Sequence, residues 1–229
     1  MQIGISNIGW NPEDVTKNTN LALDLGFDYI ESAYIKTPLS KSVYAVQGIF
    51  FNSGIKSFDD PTCYQYCCEL INFCLSKGIK IITLGSPSMR IGNKKHLINL
   101  LSNLNDYIDK RNCFICVEPN AKKYSGKYYY SLNEIISDIA GFSNVKTMID
   151  TGNLSAESFD PIKEFQKHHD FIYHCHISTP NLEPIDSYEQ YRDYILSLRE
   201  LGYNKNITYE YMKSYDLEKE MKYFLRMVP

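Results

Sequence analysis

Four residues of types that bind hard divalent ions each stand at the end of a short apolar run. They are Glu118 in ICVE, Asp150 in TMID, His176 in YHCH and Glu210 in ITYE. Three carboxylates that converge without a cation would repel one another and raise one another's pKa, and a divalent ion removes that penalty. The four residues therefore predict a metal site, provided that the fold brings the ends of the four runs together.

The composition of this ligand set indicates the kind of ion. Three carboxylates and one imidazole suit Mn²⁺, Mg²⁺ or Co²⁺ better than a structural, cysteine-rich zinc site, and zinc stays as an alternative. A single carboxylate after a strand is commonly a helix cap or half of a surface ion pair. The prediction of one bound divalent ion thus depends on all four residues acting together.

The four runs belong to an alternation of short β-rich segments and longer amphipathic segments that continues through all 229 residues. Such alternation predicts parallel strands joined by crossover helices. The predicted strands cover residues 2–6, 29–32, 43–49, 79–84, 113–118, 146–150, 171–177 and 207–210. The predicted helices cover residues 12–25, 39–41, 61–77, 94–110, 132–141, 161–168, 187–201 and 217–226. Asp60 followed by Pro61 is typical of a helix start, whereas the segment around Pro38 is a weak helix.

Eight strand and helix units without a compositional break predict one closed (β/α)8 barrel, a single domain over residues 1–229. The alternative is a doubly wound open sheet that binds a nucleotide. The first strand continues into GISNIGWNP, which has no G-x-G-x-x-G pattern, and the chain has no P-loop. In a barrel, the carboxyl ends of the strands surround one cavity, so the four candidate ligands would meet there.

Charge and cysteine usage exclude several classes of protein. A net charge of −3 and a pI near 6.0 leave no basic surface of the kind that binds nucleic acid, so a small-molecule substrate is expected. The seven cysteines lie mostly in apolar runs and are expected to be reduced thiols. The sequence shows neither a signal peptide nor a long apolar span, which predicts a cytoplasmic protein without membrane association.

Polar residues near other strand ends are candidates for contacts with the substrate. They are Glu31, Gln47, Arg90, Asn120, Asn153 and His174. His174 shares a strand face with His176, so it could contact the substrate, support His176 or simply be a buried histidine. Arg90 could grip a phosphate or carboxylate through its guanidinium, or it could be a solvated loop residue.

Several longer strings are similar to those of a known superfamily. The strings ISNIGW, VQGIFF, LGSPSMR, VEPNAKKYSG and HCHISTPNL resemble a sugar phosphate isomerase/epimerase branch of the xylose-isomerase-like barrels. The superfamily includes sugar isomerases, ketose 3-epimerases, inosose dehydratases and endonuclease IV-type enzymes, and the resemblance covers nearly the whole chain. It implies that Glu118, Asp150, His176 and Glu210 are the metal ligands at the ends of strands five to eight.

The resemblance also implies a chemistry. A metal-dependent isomerase or epimerase of a sugar or sugar phosphate would transfer a proton through a metal-stabilised enediolate. Glu118 and Glu210 would face each other across the substrate as base and acid. Members of the superfamily often associate, so a homo-oligomer is an expectation, and Tyr124 to Tyr130 could form a lid over the site.

Departures from the better-understood members leave other functions open. Asn153 stands where both the endonuclease IV-like enzymes and the ketose 3-epimerases carry histidine, so a trinuclear zinc site and DNA repair are disfavoured. Tyr124 and Leu182 stand where ketose 3-epimerases carry Glu and Arg, which puts a free-ketose substrate in doubt. The alternatives are a lyase that dehydrates a keto-cyclitol or dehydroshikimate, and a sugar-binding barrel without catalytic activity.

Overall fold

Eight parallel strands close into a barrel in which each strand pairs with its neighbours in chain order. The structure is a computed structural model, and it describes residues 1–33, 42–212 and 216–228. The strands are β1 Gln2–Ser6, β2 Tyr29–Ser32, β3 Val43–Val46, β4 Ile81–Leu84, β5 Phe114–Val117, β6 Val145–Asp150, β7 Ile172–Ile177 and β8 Asn206–Tyr209. Strand β8 pairs with β1 from Gln2 to Ile5 and thereby closes the ring.

Helices cover the outside of this barrel. They are α1 Val15–Leu25, α2 Cys63–Ser76, α3 Lys94–Ile108, α4 Leu132–Ile139, α5 Thr151–Ala156, α6 Pro161–His168, α7 Tyr188–Glu200 and α8 Leu217–Leu225. Their ends follow from local chemistry. For example, Asp160 caps α6 by accepting hydrogen bonds from two backbone N–H groups, and α1 ends at Gly26 in the left-handed conformation.

The hydrophobic core has two parts, one outside the strands and one inside the barrel. The large outer part packs the helices on the strands. The small inner part contains Tyr29, Ala45, Ile81, Cys116 and Met148, one residue from each of β2 to β6. Because side chains alternate along a strand, the residue two positions after Cys116 or Met148 also points inward, toward the carboxyl end of the barrel.

The predicted (β/α)8 barrel is confirmed, and the differences lie at the element ends. Strand β3 ends at Val46 rather than at residue 49, because the chain turns at Gly48, whose φ is +59°. Helix α2 begins at Cys63 instead of Pro61, and Asp60 accepts hydrogen bonds from the backbone N–H and hydroxyl of Thr62. The short helix α5 was not predicted.

Two further expectations concern the helix over 39–41 and the cysteines. Residues 39–41 lie outside the described part of the chain. All seven cysteines are buried and free, as expected of reduced thiols. Cys113 packs in the outer core and Cys116 inside the barrel, so the two side chains face opposite ways.

Among the described residues, none of the helices combines the length and the apolar character that a membrane crossing requires.

Candidate metal centre

The four candidate ligands meet at the carboxyl end of the barrel. Asp150 ends β6 and His176 is the second-last residue of β7, while Glu118 and Glu210 directly follow β5 and β8. One potential ligand atom from each residue lies within 4.8 Å of the others, and all four residues are buried. Four adjacent strands thus deliver three carboxylates and one imidazole to one point.

The distances around the imidazole of His176 match the size of a divalent ion. Its Nδ1 lies 3.3 Å from Glu210 Oε2, 3.6 Å from Glu118 Oε1 and 3.8 Å from Asp150 Oδ2. Ligand atoms about 2.1 Å from one ion lie roughly 3.0 to 3.5 Å from one another. A small contraction of this cluster around an ion would therefore satisfy all four ligands.

Two atoms of the cluster receive no hydrogen bond from any described residue although both are buried. They are Oδ2 of Asp150 and Nδ1 of His176. A buried polar atom without a partner costs free energy, so such atoms in a native structure commonly face an ion or a water molecule. Their shared direction toward Glu118 and Glu210 indicates that the donor set fits a metal ion.

The other oxygen of Asp150 is held by its surroundings. Oδ1 accepts hydrogen bonds from the backbone N–H of Asn153 at 2.6 Å and from the hydroxyl of Ser178 at 2.9 Å. Asp150 caps the first turn of α5 through the bond to Asn153. These bonds fix the carboxylate so that Oδ2 remains directed at the cluster.

Glu31 lies on the other side of the His176 ring, directly beneath the four-residue cluster. Its Oε2 is 3.0 Å from Nε2 of His176 and 2.7 Å from Nε2 of His174. Burial alone would raise the pKa of Glu31, but the two imidazoles hold it well below its usual range. With a proton on Nε2 shared with Glu31, the lone pair of His176 Nδ1 faces the cluster, which is the tautomer a metal ligand needs.

Glu118 lies in a space that Gly85 leaves open. A Cβ atom at position 85 would lie 2.1 Å from Oε2 of Glu118. The same oxygen accepts a hydrogen bond from the side-chain amide of Asn120 at 3.0 Å. Burial, reinforced by the charges of Asp150 and Glu210, raises the pKa of Glu118 to about 7. A carboxyl group with a pKa near neutrality can both accept and return a proton.

A cavity of 540 Å³ opens above the cluster. Three of the predicted substrate contacts line it, namely Gln47, Asn120 and Asn153. Gln47 donates a hydrogen bond to the hydroxyl of Ser6, and the side-chain oxygen of Asn153 accepts one from the backbone N–H of Ala121. These three residues therefore have the placement that a contact with a bound molecule requires.

Glu31 and His174 do not line the cavity, and the prediction that they contact the substrate is corrected. Both are fully buried inside the barrel. Glu31 also accepts hydrogen bonds from the hydroxyls of Thr83 and Thr208, so that its two oxygens have four donors in all. The role that the structure gives them is to support His176 from below.

Arg90 is likewise turned away from the cavity, so its predicted contact with an anion is corrected. The side chain is completely buried, and its guanidinium donates to the backbone carbonyls of Leu84 at 3.1 Å, Glu118 at 2.6 Å and Tyr129 at 3.3 Å. Because the sequence gives only its position after β4, the direction of this long side chain was not predictable. Arg90 thereby joins the chain segments that follow β4 and β5.

Two residues near the site were not among the predicted contacts. Ser178 follows His176 by two residues on the same face of the chain, and that spacing could have indicated its bond to Asp150. Tyr124, in the predicted lid segment, lines the cavity. Burial raises its pKa to about 12, and the carboxylates of Asp150, Glu210 and Glu118 add to the effect. The phenol therefore stays protonated and can donate a hydrogen bond.

The sequence also matches a known family over most of its length. The profile of the Xylose isomerase-like TIM barrel family matches residues 20–227. The chain belongs to this family. Comparison with curated proteins finds no match to the sequence.

Solved structures with the same fold carry several activities. The 3-keto-D-glucoside 4-epimerase YcjR from E. coli is 16% identical, with a TM-score of 0.79 over 99% of this chain and 98% of that one. The D-psicose 3-epimerase from Clostridium cellulolyticum H10 is 15% identical, with a TM-score of 0.75 over 98% of this chain and 90% of that one. The probable 3-DHS dehydratase AsbF from Bacillus anthracis is 15% identical, with a TM-score of 0.71 over 98% of this chain and 99% of that one. At these identities the similarity shows the fold, and function has to be argued from the site.

Proposed function

We propose that this protein is a metal-dependent isomerase or epimerase that moves a proton on a sugar or sugar phosphate. The observation that carries the proposal is the convergence of Glu118, Asp150, His176 and Glu210 beneath a substrate-sized cavity, with two of their atoms unpartnered within the described residues. The recurrence of sugar epimerases among the similar structures supports the choice of reaction.

The four residues would hold one divalent ion, with Mn²⁺, Mg²⁺ and Co²⁺ favoured by the oxygen-rich set and zinc as the alternative. When bound, such an ion polarises a carbonyl and stabilises negative charge on the neighbouring oxygens. Asp150 and His176 have the supporting contacts from Ser178 and Glu31 and would serve as ligands alone.

Glu118 and Glu210 would do the proton chemistry in addition to binding the ion. Their facing oxygens lie within 4.8 Å of each other, and their side chains come from β5 and β8, on different sides of the cluster. One carboxylate would remove the proton from the carbon next to the carbonyl, and the other would return a proton to the opposite face. Asn120 would keep Glu118 oriented through its bond to Oε2.

Solvent exchange tests this proposal. The Mn²⁺-loaded protein is incubated in D₂O with a panel of ketoses, their phosphates and 3-keto glycosides, and carbon-bound deuterium is measured by NMR. We expect deuterium at a carbon next to the carbonyl of at least one compound. Glu210→Gln should lose this exchange, whereas Glu164→Gln, which alters a buried carboxylate on α6 outside the site, should keep it.

The same incubation separates the competing functions. A dehydratase product would lose the mass of one water and gain ultraviolet absorbance, and that result would replace the epimerase proposal with a lyase. Undiminished exchange in Glu210→Gln would remove the assigned role of that residue. Uptake of divalent ions is measured by equilibrium dialysis and metal analysis. A protein that takes up none of them would contradict both the isomerase or epimerase and the lyase.

A further inference from the structure

The cavity above the candidate metal centre has two chemically different ends. At the buried end stand the carboxylates of Glu118, Asp150 and Glu210. Residues beyond the ends of the strands contribute a group of apolar side chains to the wall, here called the apolar rim. The apolar rim consists of Ile8, Phe50, Phe51, Ile55, Leu182 and Met212. A molecule that fills this cavity would meet polar groups at one end and hydrocarbon at the other.

Phe51 is an exposed aromatic ring that the backbone holds in place. The residue is 58% exposed, yet its N–H donates to the carbonyl of Gly48 at 2.8 Å in a turn. A Cβ atom at position 48 would lie 2.8 Å from the Phe51 ring, so the ring packs directly on the glycine backbone. Gly48 also has a φ of +59°, which favours glycine. The turn after β3 thus presents a fixed phenyl ring to the cavity.

Leu182 and Met212 form the part of the apolar rim that follows β7 and β8. The N–H of Met212 donates to the carbonyl of Leu182 at 2.7 Å, and Leu182 has a φ of +55°, which is costly for a residue other than glycine. A Cβ atom at Gly9 would lie 2.4 Å from the carbonyl oxygen of Met212. Met212 is nevertheless 46% exposed, so this locked backbone also presents an apolar side chain.

The two parts of the apolar rim lie on different sides of the opening. In a ring of eight strands in chain order, β3 stands across the barrel from β7. The loop that carries Phe51 follows β3, and the loop that carries Leu182 follows β7, so the two loops start on opposite sides of the barrel. Isolated exposed apolar residues are ordinary on protein surfaces, but apolar side chains from opposite sides of one cavity form a binding surface.

Among the described residues, the charges around the cavity favour an uncharged substrate over a phosphorylated one. Lys56 is the single cationic residue among the described residues that line it, and this lysine is exposed. Arg90 uses its guanidinium on three backbone carbonyls. Tight binding of a phosphate monoester needs several convergent donors, usually with an arginine. The described part of the cavity wall lacks such a set.

We propose that the substrate is an uncharged keto sugar that carries an apolar substituent, such as an aryl or alkyl glycoside with a ketone on its sugar ring. The sugar occupies the end beside Glu118, Asp150 and Glu210, and the substituent lies between Phe51 and Met212. The cavity volume of 540 Å³ falls in the range of roughly 300 to 1,000 Å³ that suits a molecule larger than one hexose. The assignment of the sugar end rests on the proposed function, whereas the apolar end rests on the rim residues alone.

Binding measurements test the substituent without requiring turnover. Phenyl and methyl glycosides of glucose, galactose, mannose and xylose are titrated into the protein by calorimetry, with Mn²⁺ and with EDTA, beside the corresponding sugar phosphates. We expect at least one phenyl glycoside to bind about tenfold or more tightly than its methyl partner, because the ring loses water-exposed apolar surface. A preference for the phenyl glycoside that persists in EDTA would support the apolar end of the cavity even if the protein bound no metal ion.

Variants of the rim locate the preference. In Phe51→Ser and in Met212→Ser the ratio of phenyl to methyl affinity should fall toward one. Leu201→Ser, which removes an exposed apolar side chain at the C-cap of α7, should keep the full ratio. Thermal unfolding shows whether each variant is folded. If one of the two rim variants does not fold, the affinity ratio of the other still tests the proposal.

Three results would overturn the proposal. In the first, none of the phenyl glycosides binds more tightly than its methyl partner. In the second, a sugar phosphate binds best. In the third, sedimentation shows that Phe51→Ser converts an oligomer into a monomer while the affinity ratio stays the same, which would make the rim a contact between copies of this chain.

Discussion

The carboxylate of Glu31 lies 3.0 Å from Nε2 of His176, on the side of the imidazole ring opposite the candidate metal ligands. Four donors surround Glu31, and the side chain is fully buried. The position of Glu31 on β2, two residues after the inner-core residue Tyr29, directs it into the barrel. Glu31 therefore sets the orientation of His176 without reaching the cavity.

Replacing this carboxylate should weaken metal binding. Both imidazoles bond the same oxygen of Glu31, and in Glu31→Gln that oxygen would lose its negative charge. His176 would then be held less strongly in the form that carries its proton on Nε2. We expect Mn²⁺ affinity, measured by calorimetry, to fall about 10- to 100-fold, the usual cost of losing a partner that orients a ligand.

The control is another buried pair of glutamate and histidine. Glu164 lies 3.8 Å from His168 on α6 and belongs to no candidate ligand set within the described residues. Glu164→Gln should leave Mn²⁺ affinity unchanged. Equal affinities for the wild-type protein and Glu31→Gln would show that His176 does not depend on Glu31 for its orientation.

A methyl group at position 85 should disturb the site and leave the fold intact. The Cβ of Gly85→Ala would lie 2.1 Å from Oε2 of Glu118, the end of a flexible side chain that can move aside. We expect Mn²⁺ affinity to fall at least about tenfold, with a change in the free energy of unfolding below about 1 kcal/mol. Gly141→Ala, where a Cβ meets no atom within 4 Å, is the matched control. Retained Mn²⁺ affinity in Gly85→Ala would show that metal binding does not require the Glu118 carboxylate to keep its present position.

The strand ends were predictable from the sequence, and so was the meeting of the four ligands. Alternation within ICVE and YHCH sends every second residue inward, and closure of eight parallel strands brings the ends together. The sequence did not show that His174 and Glu31 lie deeper in the barrel than the four candidate ligands. His174 and His176 point the same way, but the register of β6 against β7 places His174 level with Met148 of the inner core, one layer below His176.

The apolar rim and the direction of the long side chains could not be predicted from the sequence. Phe50 and Phe51 are adjacent in GIFF and both line the cavity, and the sequence does not tell which of the two is buried and which is exposed. The answer depends on the left-handed turn at Gly48. Similarly, the position of Arg90 after β4 is compatible with both a cavity contact and the observed bonds to carbonyls, because arginine has many rotamers.

The stability of the metal-free protein should depend on pH through Glu118. Burial, followed by the charges of Asp150 and Glu210, raises the pKa of this carboxyl from 4.5 to about 7. A carboxyl with a higher pKa in the folded state stabilises the protein at low pH, and this contribution is lost as the pH rises through about 7. The loss amounts to about 3 kcal/mol for such a shift. Urea unfolding in EDTA should therefore show a steeper decline from about pH 5 to about pH 8 for the wild-type protein than for Glu118→Gln.

Mn²⁺ should reverse this dependence, since the ion binds the deprotonated carboxylate and competes with protons. With saturating Mn²⁺ the wild-type protein should gain stability from about pH 5 to about pH 8, and Glu118→Gln should gain less. Parallel pH profiles for the two proteins in EDTA would contradict the raised pKa of Glu118.

Arg90 should prove essential for stability rather than for substrate affinity. Arg90→Met would remove the donors to the carbonyls of Leu84, Glu118 and Tyr129 while keeping most of the side-chain volume. The carbonyls of Leu84 and Tyr129 keep backbone N–H donors, whereas the carbonyl of Glu118 loses its donor. A buried carbonyl without a partner costs about 1 to 3 kcal/mol, so we expect a loss of that size in urea unfolding. Arg111→Met, which removes an exposed guanidinium stacked 4.4 Å above the ring of Tyr107, should cost less than about 1 kcal/mol. If Arg90→Met instead kept its stability and lost affinity for sugar phosphates alone, Arg90 would have to reach the cavity, and the apolar glycoside would be the wrong class of substrate.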